Sequence, residues 1–414
     1  MTVLSVQRQA GASLAAVLLV LLISYCTKLL RGCTHRPNRA LPPKALEVAM
    51  RALYFLGLGG ILDSTVRCGS DMLLTSSPWL AAMVRLACGS LWAAWGTSFW
   101  SGAEKDGSGF RAEFQRWPLW RLVKRYFADS MQMVLSVEWR SIKAEEIARK
   151  RSSPQYLVGM HPHGSFPFGG MVNGLTEIGD TTNLSVDPKG LSPAGKPLDQ
   201  AGAEPWPRED TPSVHTRWFP HLRLRAAAAS FCFWVPGMRE IFLRCGIIDC
   251  SEPYMRRLLK QGLSVAVFPG GARESGFATP GVYRLYLRGR RGFLRLALES
   301  GVSVFACYTF GDEAIWHSLV DAPAWLSSVV QIAKESLGIL PPIWLHLIPN
   351  RVPLTTVVGI PIDFSDLRPP PGEPASEENL DIAMSRYIDM LQSLFDANKG
   401  LVPGNHGSAK LVIE

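Results

Sequence analysis

The stretch Tyr156-Leu157-Val158-Gly159-Met160-His161-Pro162-His163-Gly164 carries a short apolar run straight into two imidazoles. The run has the length and composition of a buried strand. Pro162 ends it, because proline offers no backbone donor and fixes its own φ. In α/β proteins the carboxyl ends of strands open into the ligand crevice, so His161 and His163 stand where a catalytic base would be wanted. Imidazole can accept and return a proton near neutral pH without a large pKa shift. Gly164 permits close backbone approach. Two other readings fit the same residues: a pair of turn histidines facing solvent, or two metal ligands on one side of a strand.

The chain around this stretch reads as alternating strands and helices, the pattern of a largely parallel sheet covered by helices. Strands are expected at Gly246 to Cys250, Ser264 to Phe268, Val302 to Tyr308 and Val352 to Ile360. Helices are expected from Pro236 to Arg244, from a Ser251 cap through Lys260, from Gly292 to Glu299, near Glu313, and from Glu377 to Asn398. Residues 176–216 lack periodic apolar positions and are rich in proline, so they read as a flexible insertion. Four divisions result: 1–101, 102–151, an α/β domain over 152–400, and a tail over 401–414.

The first division reads as a membrane anchor. The charge-free run 10–26 is followed by Lys28, Arg31, Arg36 and Arg39, which places the remainder on the cytosolic side. A second span is expected at 79–100, bounded by tryptophans, and a weaker one at 52–74; together these form an embedded hairpin. The aromatic and basic stretch 102–151 suits either the headgroup level of a membrane or a helical lead-in packed on the core. A net charge of +8 favours an anionic partner. Nucleic acid is not that partner, since stacking signatures and zinc spacings are missing. Eight scattered cysteines without a C-x-x-C pair point to a reduced environment, with Cys245 and Cys250 as buried apolar residues.

A second loop at a strand's carboxyl end, Pro269-Gly270-Gly271-Ala272-Arg273-Glu274-Ser275, combines adjacent glycines with an arginine and an acid. Gly270 and Gly271 can bring backbone N–H groups close to an oxyanion, with Arg273 beside them, and Glu274 can orient a histidine. An ordinary turn with a surface Glu-Arg pair is the plainer alternative. Arg284, Arg288, Arg290, Arg291 and Arg295 crowd the start of an apolar helix, which suits either phosphate binding or a basic face against anionic lipid. The absence of G-x-S-x-G around any serine disfavours an acyl-serine route.

These motifs together resemble the diacylglycerol acyltransferase type 2 family, which includes monoacylglycerol and wax-alcohol acyltransferases. The resemblance rests on Y-L-V-G-M-H-P-H-G at 156–164, F-W-V-P-G-M-R-E-I-F-L-R-C-G at 233–246, F-P-G-G-A-R-E-S at 268–275, L-R-G-R-R-G-F-L-R-L-A-L at 287–298, Y-T-F-G-D at 308–312 and T-T-V-V-G-I-P-I at 355–362. It implies an endoplasmic-reticulum membrane enzyme, often at lipid droplets, with a cytosolic catalytic domain. The implied reaction moves a fatty acyl group from acyl-CoA, a substrate and not a cofactor, to diacylglycerol or another neutral lipid alcohol.

The chain is also similar to the glycerophosphate acyltransferases, whose histidine precedes an aspartate by five residues and whose later loop reads F-P-E-G-T-R. That similarity puts the catalytic role on His163, with His161 accessory, and the expected aspartate on Phe168. Glu274 is then the candidate partner acid, and Gly270 stands where the phosphate-acceptor enzymes carry glutamate. Two departures are the long insertion and the Arg273-Glu274 pair, which is more apolar in many members. A metal is not expected, and a homo-oligomer is compatible with the sequence. The alternatives are a monoacylglycerol or fatty-alcohol acceptor, an anionic lysophosphatidate acceptor, or a non-catalytic lipid-droplet protein.

Overall fold

The computed structural model describes residues 78–127, 130–136, 155–164, 166–176, 222–276, 280–316, 349–401 and 408–414. The insertion and the expected spans at 10–26 and 52–74 lie outside these residues. The chain divides after Gly102 into two compact units. In the first, α1 (Pro78–Ser101) covers the expected span at 79–100 as a single helix, with proline in its first turn and Trp92, Trp95 and Phe99 stacked along it. Among the described residues no helix is long and apolar enough to cross a membrane. In α1, Arg85, Gly89, Ser90, Gly96, Thr97 and Ser98 dilute the apolar run, and the hydroxyls of Ser90, Thr97 and Ser101 bond back to the helix's own carbonyls. The expected hairpin pairs this segment with 52–74, which lies outside the described residues.

The second unit begins in the lead-in with two short helices, α2 (Ala112–Gln115) and α3 (Pro118–Tyr126). Trp120 and Phe127 are buried in the core, while Trp117, Leu119 and Leu122 stay exposed. The lead-in then supplies β1 (Met131–Leu135). The elements that follow are β2 (Tyr156–His161), α4 (Phe168–Leu175), β3 (Leu224–Ala228), α5 (Met238–Cys245), β4 (Ile247–Asp249), α6 (Glu252–Lys260), β5 (Ser264–Val267), β6 (Arg284–Leu285), α7 (Gly292–Ser300), β7 (Ser303–Phe310), β8 (Leu354–Val358), α8 (Glu377–Asn398) and β9 (Val412–Ile413). The helix expected near Glu313 is a single 3-10 turn, Asp312–Ala314.

Seven strands form one sheet in the order β1-β8-β7-β2-β5-β3-β4, and β6 pairs with β9 separately. Every pairing in the large sheet is parallel except that of β7 with β8. The class is thus α/β with a mixed, largely parallel sheet. The central strands are apolar on both faces because helices cover both. Along β2, Leu157 faces the layer formed by α6, α7 and α8, while Tyr156, Val158 and Met160 face the layer that holds Val172 and Leu175 of α4. Each such leucine or valine buried fully contributes roughly 1.5–3 kcal/mol.

Local chemistry sets several boundaries. The Ser376 hydroxyl accepts from the Asn379 N–H at 3.1 Å and starts α8, whose Leu380, Met384, Tyr387, Leu391 and Leu394 recur at helical spacing on the buried side. Ser251 was expected to cap α6 with its side chain; instead its hydroxyl donates to Asp249 at 2.6 Å and ties the helix start to β4. Cys245 is buried as expected, but Cys250 is exposed, because it follows β4 at the edge of the sheet. The deepest ion pair joins Arg239 of α5 to Glu104 at 2.8 Å, with the two side chains 0% and 2% exposed.

Candidate active site

Strands β2, β5 and β7 are parallel neighbours, so their carboxyl ends share one sheet edge. That edge brings together 161–164, 269–274 and 311–313, three loops far apart in sequence. Pro162, Gly164, Glu274, Val282, Tyr283 and Glu313 help line a small cleft there. The peptide before Pro162 is cis, and Gly164 has φ 56°, a left-handed conformation that favours glycine.

The two histidines end up in different surroundings. His161 is 1% exposed, and its Nε2 pairs with the Tyr387 hydroxyl of α8 at 2.9 Å. Burial pushes its pKa down to about 3, so the ring stays neutral. Gly159 makes this pairing feasible: a Cβ there would lie 1.8 Å from the Tyr387 hydroxyl oxygen. His163 is only part-buried, and its Nδ1 lies 2.9 Å from the Gly164 carbonyl oxygen. A carbonyl can only accept, so Nδ1 carries the proton and Nε2 holds the lone pair. Desolvation lowers the His163 pKa, opposed by that carbonyl contact, which favours the neutral form a base requires.

Glu274 reaches the histidine turn through the backbone. One carboxylate oxygen accepts from the His163 N–H at 2.8 Å, and the other from the Tyr286 N–H at 2.9 Å. It was expected to orient the imidazole; in the structure it fixes the peptide that carries it. Burial raises the Glu274 pKa to about 7 against these two donors and the nearby Arg290. Gly270 was expected to open the loop for a ligand. Its open side is filled by Glu274, since a Cβ at 270 would fall 1.9 Å from the Glu274 carboxyl carbon. The carboxylate thus occupies the space beside the position where the F-P-E-G-T-R loop carries its own acid. Gly271, at φ 57°, has open space around it and donates to the Phe268 carbonyl at 3.1 Å.

Two further acids belong to this edge and escaped the sequence reading. Asp312 accepts from the N–H groups of Gly169 and Gly170 at 2.7 and 3.1 Å, so it caps α4 just after Phe168, where an aspartate was expected. Glu313 accepts from the Gly311 N–H at 3.2 Å and bonds the Tyr283 hydroxyl. Burial pushes both to about 7, and Glu313 adds to the rise at Asp312. Their signal in the sequence was a pair of acids directly after an unbroken apolar strand, where a solvated turn is the commoner meaning.

The arginine cluster is divided. Arg291 and Arg295 pair with Glu377 of α8 at 3.2 and 2.9 Å, and Arg291 also with Asp381 at 2.5 Å. Arg288 donates to the Ile413 carbonyl at 3.3 Å. Arg290 alone turns toward the glycine loop, 3.5 Å from the Gly270 carbonyl oxygen. Its guanidinium and that of Arg273 lie 5.3 and 4.6 Å from the centre of the Tyr286 ring, and Arg273 also bonds the Tyr286 hydroxyl. Among the described residues, no group of three or more potential metal ligands occurs.

Comparison with known proteins gives this arrangement a context. The family model described as diacylglycerol acyltransferase matches residues 210–413, a segment that contains the loops at 269–274 and 311–313. The chain is 27% identical over 326 residues to diacylglycerol O-acyltransferase 2-like protein 6 of Mus musculus, covering 75% of this chain and 81% of that protein. It is 25% identical over 382 residues to diacylglycerol O-acyltransferase 2 of Bos taurus, covering 87% of each. It is 28% identical over 369 residues to acyl-CoA wax alcohol acyltransferase 2 of Mus musculus, covering 86% of this chain and 92% of that protein. No solved structure matches.

Proposed function

Because this chain belongs to the diacylglycerol acyltransferase type 2 family, we propose that it transfers a fatty acyl group from acyl-CoA to the free hydroxyl of diacylglycerol, forming triacylglycerol. The observation that carries this reading is His163, its Nδ1 proton committed to the Gly164 carbonyl, in a turn whose Pro162 and Gly164 line a cleft at the ends of three parallel strands.

In this reading Nε2 of His163 takes the proton of the acceptor hydroxyl as its oxygen attacks the thioester carbonyl. The tetrahedral intermediate collapses, the C–S bond breaks, and the imidazolium returns the proton to the departing CoA thiolate. A positioned base of this kind contributes on the order of a hundred- to ten-thousand-fold in rate. Glu274 holds the histidine's peptide, and His161 supports the turn from the core without touching substrate. Arg290 and Arg273 hold CoA phosphate against Tyr286, whereas Arg291 and Arg295 are already neutralised by α8. The reaction runs at the cytosolic face of the endoplasmic reticulum or of a lipid droplet.

A fatty-alcohol acceptor is the second reading, favoured by the higher identity to the wax alcohol acyltransferase relative and the larger share of that relative's length that is matched. One assay decides between them. Membranes containing the protein are given labelled acyl-CoA with diacylglycerol, monoacylglycerol, a long-chain alcohol or lysophosphatidate in turn. Triacylglycerol is expected as the main product, and His163→Ala, still folded, should lose at least a hundredfold in its formation. Wax ester as the main product would select the second reading, and phosphatidate would refute both. Absence of product from every acceptor would leave a non-catalytic lipid-surface protein.

A further inference from the structure

The two-stranded pairing of β6 with β9 lies outside the large sheet, yet it bears on the residue that holds the histidine turn. Val412 donates to the Tyr283 carbonyl at 2.9 Å and Glu414 to the Leu285 carbonyl at 2.8 Å. The Glu414 carbonyl in turn accepts from the N–H groups of Leu287 and Arg288 at 2.7 and 2.8 Å. These four bonds bracket Tyr286 on both sides. Its own N–H points away from β9 to Glu274, whose other oxygen takes the His163 N–H. Ala409 and Leu411 anchor the segment by burial in the same core cluster as Tyr283, Leu285 and Leu287.

We propose that the segment 409–414 is a positioning element of the active site. It fixes the 283–288 backbone, so that the Tyr286 N–H holds Glu274 against the peptide of His163. Without it, the two-residue strand loses its ladder partner and keeps only side-chain burial, at Tyr283, Leu285 and Leu287, to hold Tyr286 in place. Two-strand pairings are marginal in water unless something else orders them. The coupling passes through three consecutive contacts, each a hydrogen bond of 2.9 Å or less. Arg290 and Arg273 sit on the Tyr286 ring, so the same backbone also sets where those guanidinium groups stand.

The physical claim is independent of the reaction, and the kinetic claim rests on the acyl-transfer reading above. The test replaces Val412 and Glu414 with proline in the full-length protein, which removes both donors of β9; Glu414→Pro alone is the milder variant, and Lys410→Ala, an exposed change on the same segment, is the control. Amide hydrogen exchange is read in peptides covering 283–288, 161–164 and, as an internal standard, β8 at 354–358. The proline variants should speed exchange at least tenfold in both 283–288 and 161–164 and leave 354–358 unchanged. The two segments are more than a hundred residues apart, so such paired loss follows only if they share a support. If 283–288 loosens while 161–164 keeps its protection, the proposal is wrong.

Where acyl transfer is measurable, the double proline variant should lose at least tenfold in kcat, and its KM for acyl-CoA should rise severalfold because Tyr286 carries Arg273 and Arg290. In a Glu274→Gln background it should lose almost nothing further, because the shared intermediary is already gone. Losses that multiply would overturn the route through Glu274. If the unmodified protein turns over none of the acceptors, the functional reading fails while the exchange experiment still decides this one.

Discussion

Glu274 and His163 respond to pH in opposite senses, although one holds the other. The carboxyl pKa rises from 4.5 to about 7 in the folded protein, so folding favours its protonated form. Its contribution to stability is full below 4.5 and is lost as pH rises through 7. The His163 pKa falls from 6.5, so folding favours the neutral ring, and that contribution is lost as pH drops below 6.5. In the proposed reaction both groups are wanted deprotonated: a base at His163 needs its lone pair, and two backbone donors need two acceptor oxygens. The kcat/KM profile should therefore rise with pH along an acidic limb near 7 set by Glu274. Glu274→Gln should move that limb below 6.5 and lower the plateau, since its amide sets donor against donor at about 1–3 kcal/mol. A limb that stays near 7 in the variant would assign it to another group. Both residues were legible in the sequence by type and strand-end position. That the acid would hold a peptide and not the ring was not legible, because the way a side chain folds back over Gly270 depends on packing.

At the scale of elements, β2, β5 and β7 could be read directly because burial on both faces makes them unbroken apolar runs. Helix α8 matches its expected bounds, since Ser376 and the following acids mark its start and apolar spacing carries it through. By contrast β1 was absorbed into the lead-in, as its Gln132 and Val134 alternate with buried methionines and leucine like an amphipathic segment. The β6 and β9 pair consists of two-residue strands that no periodicity can flag.

Predictions at this scale concern two buried contacts. Gly159→Ala should force Tyr387 out of its place over β2 and cost about 1–3 kcal/mol by overpacking, read as a lowered urea midpoint. Tyr387→Phe, which leaves the ring volume in place, should cost only about 0.5–1.5 kcal/mol and leave kcat within twofold. Glu104→Ala should cost about 3–5 kcal/mol, because it removes the carboxylate that offsets the buried Arg239 charge. An apolar pair at 104 and 239 should restore most of that loss.

For the molecule as a whole, the net charge of +8 is not spread evenly in its effects. Arg291 and Arg295 face acids of α8 in half-exposed pairs, each worth about 0–1 kcal/mol after solvent screening. Arg290 lies instead at the glycine loop with Tyr286. Arg290→Ala should raise KM for acyl-CoA severalfold, whereas Arg295→Ala should leave it unchanged; equal effects would return the whole cluster to phosphate binding. The sequence could show five arginines around a helix start, but their acids lie some eighty residues downstream on a different helix. Only the packing of α7 against α8 separates those already neutralised from the rest.

The strand order has a consequence in time as well as in space. β5 lies between β2 and β3 in the sheet, although it follows both in the chain, and β7 closes the other side of β2 later still. During synthesis the histidine strand therefore leaves the ribosome without either lateral partner, and Glu274 and Asp312 emerge more than a hundred residues behind it. On the proposed reading, a nascent chain that already carries His163 should stay inert until β7 docks, and premature termination anywhere before residue 313 should yield a product without acyl-transfer capacity. The histidine turn is among the first parts of the sheet to be made and among the last to become competent.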